Sequence, residues 1–393
     1  MGMAGFTIAL MMIGVIISPC VYGKEFSDHQ EIEVEKLLKL LNKPARKSIK
    51  SEDGDIIDCV PIHSQPAFDH PLLKNHTIQM RPSFIPESTS MYIKTNPTQV
   101  WHKNGRCPEN TVPIRRTKKE DILRSKSHES FGKKTTSSVP EDNLSNNHEY
   151  AIMNSRRGKY FGTKFLVNVW KPEVQVRSNE FSLAQTWLAS GDGANINTIE
   201  AGLQVYPRIY GDNRTRLFVF WTADAYKNGC YNTKCPGFVQ TSSLIIVGGA
   251  YNTVSQYDGV QYELSVLIWK SGENWWLRVG EELVGYWPGA LFTSLGDGAT
   301  RVQWGGEIVN VKTDGKHTIT DMGSGHFADE GVKKASYFRN IMTVDGTNTL
   351  TEPQGIFPKT TNDNCYNIKA GDGGTAWGLN FFFGGPGQNE RCP

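Results

Sequence analysis

Phe165-Leu-Val-Asn-Val-Trp170 is a short run of apolar, β-branched and aromatic residues, and seven more of its kind follow it. They are Phe181 to Leu188, Gly202 to Tyr206, Leu217 to Thr222, Ser243 to Val247, Tyr262 to Trp269, Trp275 to Val279 and Arg301 to Val309. Gly, Asp and Asn separate the runs at intervals of about 10–20 residues, and no long stretch of helical period intervenes. This pattern predicts an all-β fold over residues 150–393, an antiparallel β-sandwich of two packed sheets, jelly-roll-like. The chain holds 39 Gly, and nine of its 10 Trp follow residue 150, with Trp101 the exception. Tight turns and a large aromatic core therefore belong to the C-terminal part.

Ahead of this region the chain changes character. Apolar residues dominate Phe6 to Val21, a run short for a membrane span and followed by polar Lys24-Glu25. Residues 1–23 read as a secretory signal, with an uncleaved anchor as the alternative. Ser27 and Gln30 have capping-box spacing, Ile32, Val34, Leu37, Leu38 and Leu41 recur near helical period, and Pro44 stops the helix. Residues 24–114 read as a small α+β propeptide domain. Arg115 to Lys134 carries eight Lys/Arg against three acids, and Ser, Thr and Pro140 follow. With few residues able to offset the entropy of ordering, 115–149 reads as an exposed basic linker.

With 393 residues, about two domains are expected. Lys plus Arg is 42 and Asp plus Glu 40, a near balance that argues against a nucleic-acid partner. No membrane partner is expected once the signal is removed, and a monomer is expected. Apart from Cys20 in the signal, six cysteines remain. Placement within domains favours disulfides Cys59–Cys107, Cys230–Cys235 and Cys365–Cys392. Asn75, Asn143 and Asn213 begin glycosylation sequons.

Elimination narrows the chemistry. After residue 150 only His317 and His326 remain, so a three-His zinc site cannot be built there, and neither a G-x-S-x-G nor an H-E-x-x-H motif occurs. No metal and no cofactor are expected. Carboxylates are what is left: paired, one stays ionised to deprotonate water while the other stays protonated to serve the leaving group. Glu200 in Thr198-Ile-Glu-Ala-Gly-Leu-Gln-Val-Tyr-Pro207 and Glu307 in Val302-Gln-Trp-Gly-Gly-Glu-Ile-Val309 sit in strand-like runs where a carboxylate can face inward, the bland alternative being an outward strand residue.

Several stretches, in order, resemble the neprosin family of plant secreted peptidases. They are Asp55 to Pro71 and Asn75 to Ser83 in the N-terminal part, then Gln185-Thr-Trp187, Glu200-Ala-Gly202, Phe220-Trp-Thr222, Gly229-Cys-Tyr-Asn232, Gly237 to Gln240, Gly285-Tyr-Trp-Pro288, Trp304-Gly-Gly-Glu307 and Met322 to His326. The resemblance implies a glutamic endopeptidase made as a zymogen, active in acid, cutting on the carboxyl side of proline, with Glu200 and Glu307 as its catalytic pair. Its partners would be proline-containing proteins or peptides, and its own propeptide as inhibitor. Gln185 is the candidate oxyanion donor. Trp187 and Trp304 are candidates to line a proline subsite, with Tyr206, Trp221 and His326 as further candidates. The expected location is extracellular, the apoplast, with the vacuole as the alternative. The competing readings are a secreted carbohydrate-binding or glycan-active sandwich, since Glu pairs and Trp platforms also suit sugars, and a catalytically silent wall or defence protein.

Overall fold

The computed structural model describes residues 28–86, 97–125, 130–134, 147–175, 179–372, 374 and 376–393. The signal-like segment, Ser27 and Asn143 lie outside the described residues.

The N-terminal unit runs α1 (Asp28–Leu41), β1 (Lys47–Lys50), β2 (Ile56–Pro61), β3 (Thr111–Arg115) and α2 (Lys119–Leu123). The three strands form an antiparallel sheet in sequence order, closed by the Cys59–Cys107 disulfide. The helical period of α1 is used as its spacing predicts: Val34 and Leu41 bury against Ile122 of α2 and against Phe131. Here the linker reading is corrected. Residues 115–125 and 130–134 are packed, with Asp121, Ile122, Phe131 and Lys134 all buried. Five basic residues of this stretch pair with acids, Arg115 with Asp55 and Asp121 at 2.7 and 2.8 Å, and Arg116, Lys119, Arg124 and Lys134 with Asp58, Glu31, Asp121 and Glu200.

The chain continues as β4 (His148–Asn154), β5 (Gly162–Asn168), β6 (Ser182–Ser190), β7 (Asn197–Val205), the one-turn α3 (Pro207–Tyr210), β8 (Arg216–Ala223), β9 (Asn228–Tyr231) and β10 (Val239–Gln240). Then come β11 (Glu263–Ser271), β12 (Asn274–Val279), β13 (Glu282–Trp287), β14 (Arg301–Val309), β15 (Ser336–Val344) and β16 (Leu350–Thr351). Three short strands end the chain, β17 (Phe357–Thr360), β18 (Asn367–Ala370) and β19 (Phe381–Gly384). They make two antiparallel sheets, one ordered β10-β13-β12-β11-β5-β15-β19-β18 with β16 on β15, the other β17-β4-β14-β6-β7-β8-β9.

The sheets pack face to face. Met153, Leu188, Ile199, Val219, Trp221, Val302 and Trp304 of the second meet Phe165, Val167, Ile268, Trp275 and Leu277 of the first. Leu73 is the one fully buried residue of this core drawn from before β4, so the sandwich carries its own core. Each buried Trp removes about 200 Å² of apolar surface from water, on the order of 5 kcal/mol at about 25 cal/mol/Å² and an upper bound.

Ser243 to Val247 is not a strand. Its backbone is satisfied by side chains instead: Ser242 Oγ accepts from the amides of Leu244 and Ile245, and Gln99 Oε1 from that of Ile246. Ile246 thereby joins Trp101, Ile49 and Ile57 in a cluster that cements the N-terminal unit to the sandwich. The cysteine pairs Cys230–Cys235 and Cys365–Cys392 form as within-domain placement favours. His317 lies close to Cys365 and Cys392, but both sulfurs are committed to that disulfide. Asn75 is exposed and Asn213 partly so.

Candidate active site

Period-two alternation sends Gln185 and Trp187 of β6, Glu200 of β7, Gln303 and Glu307 of β14 and Tyr150 of β4 to the face of the seven-stranded sheet that looks away from the sandwich core. On β6, Glu307 stands opposite Leu183 and Glu200 opposite Trp187. Gln185 therefore lies midway between the two glutamates, flanked across the strands by Gly202 and Gly305. These glycines explain the Glu-Ala-Gly and Trp-Gly-Gly-Glu spacings. A Cβ at Gly202 would meet the Ala184 carbonyl oxygen at 2.1 Å, and one at Gly305, whose φ is +144°, the Ala151 carbonyl at 2.3 Å. No side chain therefore flanks Gln185 across either neighbouring strand.

Both carboxylates are fully buried and richly bonded. Glu200 accepts from Thr198 Oγ1 at 2.9 Å and Tyr226 Oη at 3.1 Å. Glu307 accepts from Gln185 Nε2 at 3.2 Å and Tyr150 Oη at 3.4 Å, and His148 Nδ1 lies 2.5 Å from its Oε1. Between them stands Lys134, its ammonium 2.9 Å from Glu200 Oε2 and 3.9 Å from Glu307 Oε2. The lysine reaches in from the segment Ser130 to Lys134, whose Gly132 carbonyl accepts from the Tyr231 amide at the sheet edge. Phe220 and Tyr226 present their ring faces to the ammonium at 5.2 and 5.5 Å.

Burial alone would lower the Lys134 pKa; the two glutamates outweigh it and hold the ammonium charged, above its ordinary range. Burial beside Glu307 pushes the Tyr150 phenol well up, so it remains a donor. Burial likewise raises Tyr206 to about 12. Beside the lysine a cavity of about 300 Å³ opens between Ser130–Lys134 and the sheet, lined by His148, Phe181, Tyr206, Tyr231 and Val309 on the sandwich side. Trp187 Nε1, Gln185 Oε1 and Tyr231 Oη face this region buried and without partners among the described residues.

The structure brings Glu200, Glu307, Gln185 and Trp187 together, with Tyr206 at the cavity wall, its hydroxyl on Asn179. Three candidates fall elsewhere. Trp304 is three residues from Glu307, an odd number, so it points into the inter-sheet core and donates to Thr163 Oγ1 at 2.9 Å. Trp221 is the neighbour of the cleft residue Phe220 and likewise faces the core, edge-on to Phe292. His326 lies half-buried on a loop away from the glutamates, paired with Glu330 at 2.9 Å and with its ring tilted against that of Tyr257. Sequence reading missed Lys134, His148, Tyr150, Thr198 and Tyr226. Parity along the strands singles out Thr198 and Tyr150, since Thr198 shares a face with Glu200 two residues away and Tyr150 is paired to Glu307. Nothing local marks Lys134 among the other lysines of its basic run.

Residues 178–386 match the family model described as Neprosin, and residues 48–154 the one described as Neprosin activation peptide. Among solved structures the chain is similar to scytalido-glutamic peptidase with a transition state analog inhibitor, at 10% identity over 61% of this chain and 98% of that one, TM-score 0.35. It is similar to SCP-B, a member of the Eqolisin family of peptidases in complex with the tripeptide Ala-Ile-His, at 10% identity, 61% and 98% coverage and TM-score 0.33. It is also similar to CG-16, a homodimeric agglutinin from chicken liver, at 9% identity, 40% and 91% coverage and TM-score 0.23.

Proposed function

The chain belongs to the neprosin family, and from that premise we propose that it is a secreted glutamic endopeptidase, made as a zymogen and active in acid, that cuts peptides on the carboxyl side of proline. The observation that carries this reading is the pair of buried carboxylates, Glu200 and Glu307, converging on one ammonium with Gln185 between them.

In the working enzyme a water takes the place of that ammonium. One glutamate, ionised, draws a proton from the water as it attacks the scissile carbonyl; the other, protonated, passes its proton to the departing amine nitrogen. The Gln185 amide N–H, which points at Glu307 here, donates to the tetrahedral oxyanion. Trp187 supplies a flat apolar wall for the proline ring.

Lys134 opposes each of these steps. Its ammonium fills the water position and engages both carboxylates, which leaves neither free to serve a substrate. The N-terminal unit holds the lysine there by packing Phe131 on α1 and α2. Acid weakens this hold by protonating carboxylates of the N-terminal unit, and cleavage between Lys134 and the start of β4 at His148 frees the enzyme. Incubation of the purified chain near pH 4 should convert it to a smaller species that begins in that interval. A chain that stays intact across the acidic range contradicts the zymogen reading.

A further inference from the structure

The cleft continues past the lysine, and its far end is cationic. Arg216, at the start of β8, shares a face with Phe218 and Phe220, and Phe220 is the cross-strand partner of Glu200. Four residues of strand place Arg216 roughly 13 Å along the cleft from Phe220. Its guanidinium is fully buried and lies 4.8 Å over the Tyr210 ring. Nη2 is held by Asp212 at 2.6 Å, and Nη1 by the Gly248 carbonyl at 2.8 Å and by Asp55 at 2.6 Å. Lys234, also buried, lies 6.0 Å from the same Tyr210 ring and 4.7 Å from the ring of Phe131.

The N-terminal unit traces a peptide path to this end. Lys134 is at the glutamates, Gly132 bonds the edge of β9 through Tyr231, and Phe131, three residues before Lys134, covers Lys234. Alongside, Asp55 sits on Arg216, and Asp121 lines the cavity that begins at Lys134. Arg115 and Arg124 cap the carbonyls of Tyr210 and Arg208. Water can serve those two carbonyls once the unit leaves. The sandwich side, by contrast, keeps two buried cations, Arg216 and Lys234, against the single carboxylate of Asp212, with Arg216 Nη1 short of its carboxylate partner. Burial first and Arg115 second press Lys234 down to about 7 while the unit is docked; departure of the unit removes Arg115 and the cover of Phe131.

We propose that Arg216 and Lys234 form a carboxylate-binding subsite of the cleft, which the N-terminal unit fills with its own Asp55, and that the processed enzyme favours substrates carrying an aspartate or glutamate about three to four residues from the cut bond. The inference rests on the peptidase reading of Glu200 and Glu307 and names the substrate class that site selects. A charge-assisted bond to a buried guanidinium is strong enough for a preference of about tenfold or more.

The test uses the processed protein, freed of its N-terminal unit. Proline-containing peptides are compared as Asp and Asn pairs, with the variable residue at each of the second to fifth positions on either side of the cut. The expected result is a kcat/KM ratio of about ten or more at one position, three or four residues out, falling toward one in Arg216→Gln. Lys234→Met, which removes a cation from a cationic neighbourhood and should fold more readily, is expected to lower the ratio as well. A second arm needs no turnover: binding of the proline-free peptide Ser51 to Asp58 against its Asp55→Asn form, by calorimetry. If no peptide is cut but the Asp55 peptide binds at least tenfold more tightly than its Asn form, the subsite stands and the peptidase reading falls. Equal cleavage of every Asp and Asn pair, or equal or absent binding of the two forms, overturns the subsite.

Discussion

The ammonium of Lys134 lies 2.9 Å from the Glu200 carboxylate, both of them buried. The same ammonium is the shared neighbour of Glu307. One residue from ahead of the sandwich thus supplies a counter-charge shared by two carboxylates in a desolvated cleft.

Replacing Lys134 by Met removes the shared counter-charge and leaves both glutamates buried. Breaking a buried pair in this way costs about 3–5 kcal/mol. Lys134→Met is therefore expected to lower the melting temperature of the full chain at pH 7 by several degrees. A melting temperature equal to wild type would mean the lysine is not paired with the glutamates.

The ion network at Asp55 sets when the N-terminal unit lets go. Burial alone would raise the Asp55 pKa, but Arg216 and Arg115 outweigh it and hold it below its ordinary 3.8. Asp121 is also buried and is also held low, by Lys234 and Arg115. For an acid with a depressed folded pKa, the stabilisation is complete above the unfolded value and disappears as pH falls through the folded one. Docking should accordingly persist at pH 5 and loosen only below about 4. Amide exchange in β3 would report this. Protection lost between pH 6 and 5 would place the trigger elsewhere, whereas Asp55→Asn should expose β3 already at pH 7.

The sandwich itself is built to prefer acid. Burial raises Asp321 to about 6 although the Glu173 amide bonds it. In His317, burial would lower the pKa, but Glu149 and the Thr318 carbonyl raise it. Both groups are raised, so their contributions are largest at low pH and decline as pH rises, Asp321 through about 4–6 and His317 above its ordinary 6.5. The processed protein should melt higher at pH 5 than at pH 8. Asp321→Asn should remove about 1 kcal/mol of that difference. A melting temperature that rises from pH 5 to pH 8 would contradict this assignment.

Trp187 and Trp304 offer a clean contrast, since both are fully buried but on opposite faces of one sheet. Trp304→Phe leaves a void in the core and removes the donor to Thr163 Oγ1, which keeps its bond to the Met342 carbonyl, so it should cost about 2–3 kcal/mol of stability and leave KM for peptides close to wild type. Trp187→Phe should chiefly raise KM or lower kcat. The opposite pattern would reverse which face binds substrate.

Much of this arrangement could be read from the residues. Most of the β-rich runs after Tyr150 are strands because their alternation serves two buried faces, and α1 uses the face its spacing offers. Trp304 and Trp221 were legible too, had strand parity been applied to them: each is an odd number of residues from a cleft residue. Ser243 to Val247 was not, because its backbone partners, Gln99 above all, come from far along the chain. Lys134 was hidden for the same reason. A basic run reads as solvated until the carboxylates that order it are known, and these lie 66 and 173 residues away.

The measurement that bears most directly on the central claim is peptide cleavage by the processed protein in acid, read by mass spectrometry for wild type, Glu200→Gln and Glu307→Gln. The amide keeps the shape of each side chain but can neither accept the water's proton nor return it. The account predicts that wild type cuts after proline while both variants are folded and inactive. Cleavage by either folded variant at the wild-type rate, or no cleavage by wild type anywhere between about pH 2.5 and 7, would contradict it.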